Sequence, residues 1–261
     1  MLKKRLIPVL YIKNGLIVRS EGFNYHQNIG NIVNEAKRYN EWNVDELVYI
    51  DISIEKKYDL RRDDHKIKSY STIGEIITKI AEVCFMPLTF GGGIRILSDV
   101  DERIKNGADK VTINTAAFQN QSLITDISKK YGAQCVVVSI DYRMIDNKPI
   151  VFINNGTENT QMKVNDWVKI CEDLGAGEIF LNSIDRDGKG KGFDIETIKN
   201  CCENTRLPVI ACGGAGSDYD FLELAEETKA SAFAAGNIFH FTELSYSRIK
   251  KLLKKNLIDV R

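Results

Sequence analysis

Carboxylates stand where short β-branched runs end: Asp51 closes ELVYI, Asp141 closes CVVVSI, and Asp185 and Asp187 follow EIFLNSI within SIDRDGKGKG. Side chains so placed can act as general acids and bases, since burial and neighbouring groups can bring a carboxyl pKa toward neutrality. Asp141 is set apart by its parity. Counting back by twos gives Ser139, Val137 and Cys135, one face of an extended run, so in a closed sheet Asp141 points inward with them. The alternative is an aspartate that caps the next helix. Glycine offers a second chemistry. Gly91, Gly92 and Gly93 go with Asn114 and Thr115 at the ends of adjacent runs, and Gly213, Gly214 and Gly216 go with Gly236 and Asn237. Without a Cβ in the way, backbone N–H groups can close on an anion, and two matched clusters imply a substrate with a phosphate at each end. Either cluster alone could equally serve a tight turn.

Other chemistries lack their residues. The three histidines, His26, His65 and His240, show neither metal-ligand spacing nor a neighbouring nucleophile motif, and His240 in NIFHF reads as packing or capping. Walker, GxSxG and HExxH patterns are missing, so no metal and no cofactor is expected. Six cysteines (Cys84, Cys135, Cys171, Cys201, Cys202, Cys212) form no CxxC pair and read as reduced, mostly buried small hydrophobes. The 36 basic and 36 acidic side chains cancel, which leaves no global field to draw nucleic acid or an anionic membrane. No apolar run approaches the roughly 20 residues of a membrane span, and MLKKRLIPVLYIKNG reads as the first strand of a cytoplasmic protein.

The elements that must position these groups alternate along all 261 residues, 43% of them hydrophobic. Strand-like runs cover 6–11, 46–51, 87–93, 110–114, 135–141, 178–185, 208–214 and 232–236, and amphipathic segments such as 32–44, 72–84, 120–131, 164–175 and 243–255 lie between them. Repeated βα units demand parallel pairing, and eight of them close a barrel. An internal repeat supports closure: PLTFGGGI from Pro87 matches PVIACGGAG from Pro208, 121 residues later, and DKVTINTAAF echoes SAFAAGNIFHF. The expected fold is one (β/α)8 TIM barrel over 1–261 with two-half-barrel symmetry; an open doubly wound sheet would not carry two related phosphate signatures. The densest charge run, 55–68, reads as a solvated loop.

Taken together, RLIPVLYIKNG, DELVYIDI, PLTFGGGIR, GADKVTINTAA, QCVVVSID, GAGEIFLNSIDRDGKGKGFD, PVIACGGAG and NIFHF resemble the cyclase subunit of imidazole glycerol phosphate synthase over nearly the whole chain. The resemblance implies a barrel that takes ammonia from a glutaminase subunit docked on its bottom face. With that ammonia it would split a two-phosphate ribulosyl formimino substrate into imidazole glycerol phosphate and an aminoimidazole carboxamide ribonucleotide. Asp141 would be one of the family's two acid/base aspartates. Gly92, Gly93, Asn114, Thr115, Asp187, Gly188, Gly213, Gly214 and Gly236 would surround the two phosphates, with Asn182 and Asn237 at the same mouth.

The chain departs from that family at the mouth. The second acid/base aspartate ends the first strand in an I-P-C-L-D-V motif, whereas this chain reads Ile7-Pro8-Val9-Leu10-Tyr11-Ile12. A phenol with a pKa near 10, against about 4 for aspartate, can donate a proton at neutral pH but is a poor base. Arg19 also replaces a mobile-loop lysine, Asn182 a threonine and Cys212 a serine, and the loop after the second strand is longer. The expectation is altered substrate or weakened cyclase chemistry. One alternative is an ammonia-channelling subunit for amidation of a nucleotide sugar in surface-polysaccharide or flagellin glycan biosynthesis; another is a phosphosugar isomerase or synthase on a similar barrel.

Four charges at strand starts share the inward parity: Arg5 leads to Ile7, Val9 and Tyr11, Glu46 to Val48 and Ile50, Lys110 to Thr112 and Asn114, and Glu178 to Phe180 and Asn182. Two cations and two anions pointing into one end of a barrel can satisfy each other as a ring, and the resemblance implies that they gate an ammonia channel. An inherited structural ring is the alternative.

Overall fold

A computed structural model describes residues 3–54 and 70–261; the run at 55–68 lies outside the described residues. Eight parallel strands close on themselves: β1 (Arg5–Lys13), β4 (Leu47–Asp51), β5 (Leu88–Gly91), β6 (Lys110–Ile113), β7 (Val136–Ile145), β10 (Glu178–Ser183), β11 (Val209–Cys212) and β12 (Ala232–Ala235). Each of the eight expected runs overlaps one of them; β1 and β7 extend beyond the expected bounds 6–11 and 135–141. Closure is completed by β12 pairing with β1, Arg5 opposite Ala232, and by β10 pairing with β7, Asn182 opposite Asp141. Parallel strands covered on both faces need apolar side chains on both, which is why they read as nearly continuous hydrophobic runs.

The alternation sorts two layers. Ile7, Val9, Tyr11, Val48, Val137, Phe180, Ile210, Cys212, Ala232 and Ala234 fill the barrel interior. Leu6, Leu10, Tyr49, Phe90, Ile140 and Leu181 face outward against helices α1 (Ile32–Glu41), α2 (Ile73–Ala81), α3 (Leu97–Lys105), α5 (Ser122–Tyr131), α6 (Val164–Asp173), α7 (Ile195–Glu203), α8 (Asp218–Glu227) and α10 (Ser245–Lys255), the short α4 (Thr115–Gln119) and α9 (Asn237–Phe241) lying at the mouth. Cys135, expected on the inward face, instead sits in a single 3-10 turn ahead of β7. Helix α10 locks the seam: the Tyr246 hydroxyl donates to Leu6 O at 3.2 Å and accepts from Asp45 N at 2.7 Å.

The described residues contain twelve strands, not eight. The first strand of each half runs on into an antiparallel excursion, β2 (Leu16–Glu21) and β3 (Tyr25–Gly30) after β1, and β8 (Lys148–Ile153) and β9 (Glu158–Lys163) after β7. Asn14 and Gly15 turn the first hairpin at φ 51° and 80°, and Asp146 and Asn147 the other at φ 48° and 57°, the left-handed pairs that match strand twist. Strands β3 and β9 are largely exposed and polar, so they carry little of the hydrophobic signal of the barrel. The excursions stand in equivalent places of the two halves and roof the same end of the barrel, which extends the twofold pattern beyond the glycine repeats.

Gly92 ties β5 to β4. At φ +92° a built Cβ would lie 2.0 Å from the Asp51 carbonyl oxygen. Gly92→Ala should therefore destabilise the fold by about 2–4 kcal/mol, left-handed strain adding to overpacking against backbone. Urea unfolding measures it, and a loss below about 0.5 kcal/mol, the scatter of ordinary surface changes, would show that this turn yields freely.

Candidate functional site

The mouth of the barrel gathers side chains from both halves. Asp141 lies on β7 and is 9% exposed. Asn114, following β6, donates from Nδ2 to Asp141 Oδ2 at 2.6 Å, and Asn182 on β10 donates from Nδ2 to Asp141 Oδ1 at 3.3 Å. Cys212 on β11 stands opposite Asn182, and Tyr11 on β1 packs with Cys212 in the interior cluster. Burial pushes the Asp141 carboxyl from 3.8 up to about 7; the Asn182 hydrogen bond opposes it, the Asp187 charge adds to it and the Ser139 hydroxyl opposes it. Burial also drives the Tyr11 phenol well above its usual range, Cys212, Asp187 and Asp141 adding to the effect and Asn182 opposing it. The site thus holds one carboxyl poised near neutrality beside a phenol that stays protonated.

Asp187 and Gly188 follow β10 and meet the β2–β3 hairpin. The Ser20 hydroxyl donates to Asp187 Oδ2 at 2.7 Å and Phe23 N to the same oxygen at 3.3 Å, while Gly22 N donates to Asp187 O at 3.0 Å. Burial raises the Asp187 pKa and the Ser20 hydrogen bond works against it. Gly188 leaves room for this hairpin, since a built Cβ would stand 2.3 Å from Ser20 O. Asn237, at the start of the short helix α9 (Asn237–Phe241), donates to Ser20 O at 3.1 Å. Arg19 lies with its guanidinium 5.4 Å from the Tyr25 ring centroid and 5.9 Å from that of Phe241. The hairpin therefore lies against the loop after β10 and the helix after β12.

The two glycine clusters fall at the same end. Gly92 and Gly93 follow β5 and take positive φ; Gly213 and Gly214 follow β11 and do the same. Gly236 is the N-cap of α9, as Asn114 is of α4 (Thr115–Gln119), and Thr115 accepts from Asn154 N at 3.0 Å, which joins it to the β8–β9 turn. The His240 side chain is almost fully buried against Tyr39, with ring centroids 6.2 Å apart, and packs as expected.

At the opposite end the four inward charges meet. Arg5 contacts Glu46 at 2.7 Å and Glu178 at 2.7 Å; Lys110 contacts Glu46 at 3.1 Å and Glu178 at 3.0 Å. Each cation bridges both anions. Thr89 Oγ1 donates to Glu46 Oε1 at 3.0 Å, which secures a carboxylate only 1% exposed. Burial disfavours the Arg5 charge, but Glu178 and Glu46 outweigh it and raise its pKa.

The family of histidine biosynthesis proteins matches residues 5–245. The chain belongs to this family. Among its relatives, subunit HisF of imidazole glycerol phosphate synthase from Natranaerobius thermophilus is 40% identical over 261 residues, covering the whole of both chains. The subunit of the same name from a Thermotoga strain is 43% identical, covering all of this chain and 98% of that protein, and the one from a Hydrogenobaculum strain is 41% identical over the whole of both. A HisF-like cyclase barrel with a tyrosine in the first-strand position is therefore the framework for its chemistry. No described helix is long and apolar enough to cross a membrane.

Two features of this histidine biosynthesis barrel escape sequence reasoning: the Ser20–Asp187 contact and the binding of both Asp141 oxygens by amides from different βα units. The Asn-Gly pair at 14–15 could have revealed the hairpin that carries Ser20. For Asp141 the pH consequence has a definite sign. A carboxyl raised in the folded state binds protons more tightly there than when unfolded, so its contribution is complete below about 3.9, falls as pH rises toward 7 and is constant above that. Asp141→Asn does not titrate. Its stability relative to wild type should improve by about 2–3 kcal/mol between pH 5 and pH 8, read from urea unfolding at the two values. A pH-independent difference would place the Asp141 pKa near its unfolded value.

Proposed function

We propose that this chain receives ammonia from a glutaminase docked at the Arg5–Glu46–Lys110–Glu178 end and delivers it along the barrel axis to a phosphate-bearing substrate at the Asp141 end. The observation that carries the reading is the paired ring at one end, joined to the mouth by an interior of Ile7, Val9, Val48, Val137 and Phe180 that offers ammonia few competing hydrogen-bond partners. The relatives' printed name points to imidazole glycerol phosphate synthesis, so the substrate class is the two-phosphate ribulosyl formimino compound, with Gly92, Gly93, Asn114 and Thr115 around one phosphate and Gly213, Gly214, Gly236 and Asn237 around the other. Asp187, Gly188 and Arg19 hold the hairpin over the substrate. Asp141, held near pKa 7, exchanges protons with it.

Tyr11 weakens the cyclase step in this reading, because its phenol stays neutral where a second carboxylate would act. That same observation favours a second use of the delivered ammonia, amidation of a nucleotide sugar by a separate enzyme. Purification with a glutaminase subunit from the same organism, followed by measurement of ammonia- and glutamine-dependent turnover of the two-phosphate compound, tests the proposal. Stimulated glutamine hydrolysis with slow cyclisation supports weakened chemistry. Stimulation with no cyclisation favours the amidation role, and no complex at all removes both.

A further inference from the structure

Leu257 is unfavourable on two counts: it holds φ +62°, the left-handed region that suits glycine, and it is 93% exposed. It follows helix α10, whose end is closed by Leu257 N donating to Lys254 O at 3.1 Å and Ile258 N to Leu253 O at 3.0 Å. This paired motif ordinarily takes glycine at the left-handed residue. Its usual apolar contact is already supplied, since Leu253 is buried and Ile258 packs against the core. Folding therefore gains nothing from a leucine here. Phe85, which leads into β5 between the core-packed Cys84 and Met86, is 82% exposed.

Both residues lie at the end of the barrel that carries the ion ring. Beyond Leu257 the chain returns to β1: Asp259 O accepts from Lys4 N at 2.8 Å and Lys4 O from Arg261 N at 3.1 Å, beside the ring's Arg5. Phe85 leads into the strand whose Thr89 secures Glu46. The ring side chains themselves are only 1–18% exposed, so they offer a docked protein little contact area. Scattered single hydrophobics are ordinary on a surface, and Phe85 alone would mean little. A leucine kept against its backbone preference at the same end is a different matter.

The charge around Leu257 indicates what covers it. Lys254, Lys255 and Arg261 are exposed and make no ion pair among the described residues. A second copy of this chain would bring like charges together, which disfavours pairing of this face with itself. We propose that Phe85 and Leu257 are the apolar anchors by which this chain holds the glutaminase subunit, each entering an apolar recess on it, with carboxylates of that subunit facing Lys254, Lys255 and Arg261. The inference rests on the docking proposed above and adds the residues that set its strength. Affinity then belongs to these two side chains, and the admission of ammonia to the buried ring.

The test compares docking with stability. Affinity for the glutaminase subunit from the same organism is measured by calorimetry for the wild type, Phe85→Ala, Leu257→Gly and Tyr219→Ala, with the melting temperature of each chain alone. Tyr219, 70% exposed in the first turn of α8 at the mouth end, is the control. Phe85→Ala and Leu257→Gly should each weaken docking by roughly 10- to 100-fold, while Tyr219→Ala leaves it unchanged. Leu257→Gly should melt no lower than the wild type, because glycine relieves the left-handed strain. A merely structural role for Leu257 predicts the reverse, a lower melting temperature with docking intact. Unchanged affinity in either anchor variant overturns the inference while leaving the docking itself standing. So does a chain that dimerises on its own and is dissociated by the same substitutions, since the face would then belong to a second copy. A wild type that binds no glutaminase removes the docking reading and the inference together.

Discussion

Tyr11→Asp should raise ammonia-dependent turnover of the two-phosphate ribulosyl formimino compound by about 10²- to 10⁴-fold, the usual worth of one acid/base partner, and by more than any other single substitution in this chain. The wild-type phenol sits in an interior shared with Val9, Val48 and Cys212, and its raised pKa keeps it protonated throughout the accessible pH range. It can lend a hydrogen bond but cannot cycle a proton at neutral pH as a carboxylate does. An aspartate in its place would lie near Asp141 and Asp187, so like-charge repulsion and burial would lift its pKa toward the operating range. Stability should move the other way. Exchanging a buried ring for a short acid leaves a cavity, and large-to-small core changes of this size cost about 3–5 kcal/mol, visible as a lower melting temperature. Tyr11→Phe separates the ring from its hydroxyl and should leave the slow turnover nearly unchanged. Wild-type turnover equal to that of Tyr11→Asp would show that the phenol is no obstacle, and the departure from the family motif would then concern substrate choice alone.

Legibility from sequence followed burial. Strands such as β7 and β10 are covered on both faces and announce themselves as VVVSI and EIFLNS, and inward parity then places Asp141 and the four charges before any contact is known. The hairpins β2–β3 and β8–β9 hid because segments like YHQNIG and ENTQMK pay no packing constraint on their exposed faces. The links across the mouth were out of reach for another reason. Ser20 and Asp187 are 167 residues apart and meet only after closure, and Asn114 and Asn182 reach the two Asp141 oxygens from different βα units. Single residue types suggested the groups, but the burial that dominates their pKa shifts, and partners such as Asn182 and Asp187, exist only once the barrel closes.

The ring at the closed end allows structure and function to be separated by substitution. Arg5→Met removes the group that contacts Glu46 and Glu178 at 2.7 Å each, and leaves Lys110 as the nearest cation for two carboxylates. Breaking a buried ion pair on one side strands the remaining charge, at a cost of about 3–5 kcal/mol. For a chain of this length each kcal/mol lowers the melting temperature by about 2–4 °C, so the variant should melt some 6–20 °C earlier. Replacing all four residues at once, Arg5→Met, Glu46→Leu, Lys110→Met and Glu178→Leu, strands no charge. Well-packed apolar substitutes for a buried ionic cluster are commonly neutral or stabilising by about 1–4 kcal/mol, so this protein should melt at or above the wild-type temperature. An inherited structural ring predicts that nothing else changes. A ring that meets the glutaminase and admits ammonia predicts that the fourfold variant, though stable, no longer stimulates glutamine hydrolysis by its partner and no longer uses glutamine in place of ammonium chloride. Stability and coupling therefore move in opposite directions in one protein. A stable fourfold variant that still stimulates the glutaminase as the wild type does would assign the ring to folding alone and close the proposed ammonia route at this end.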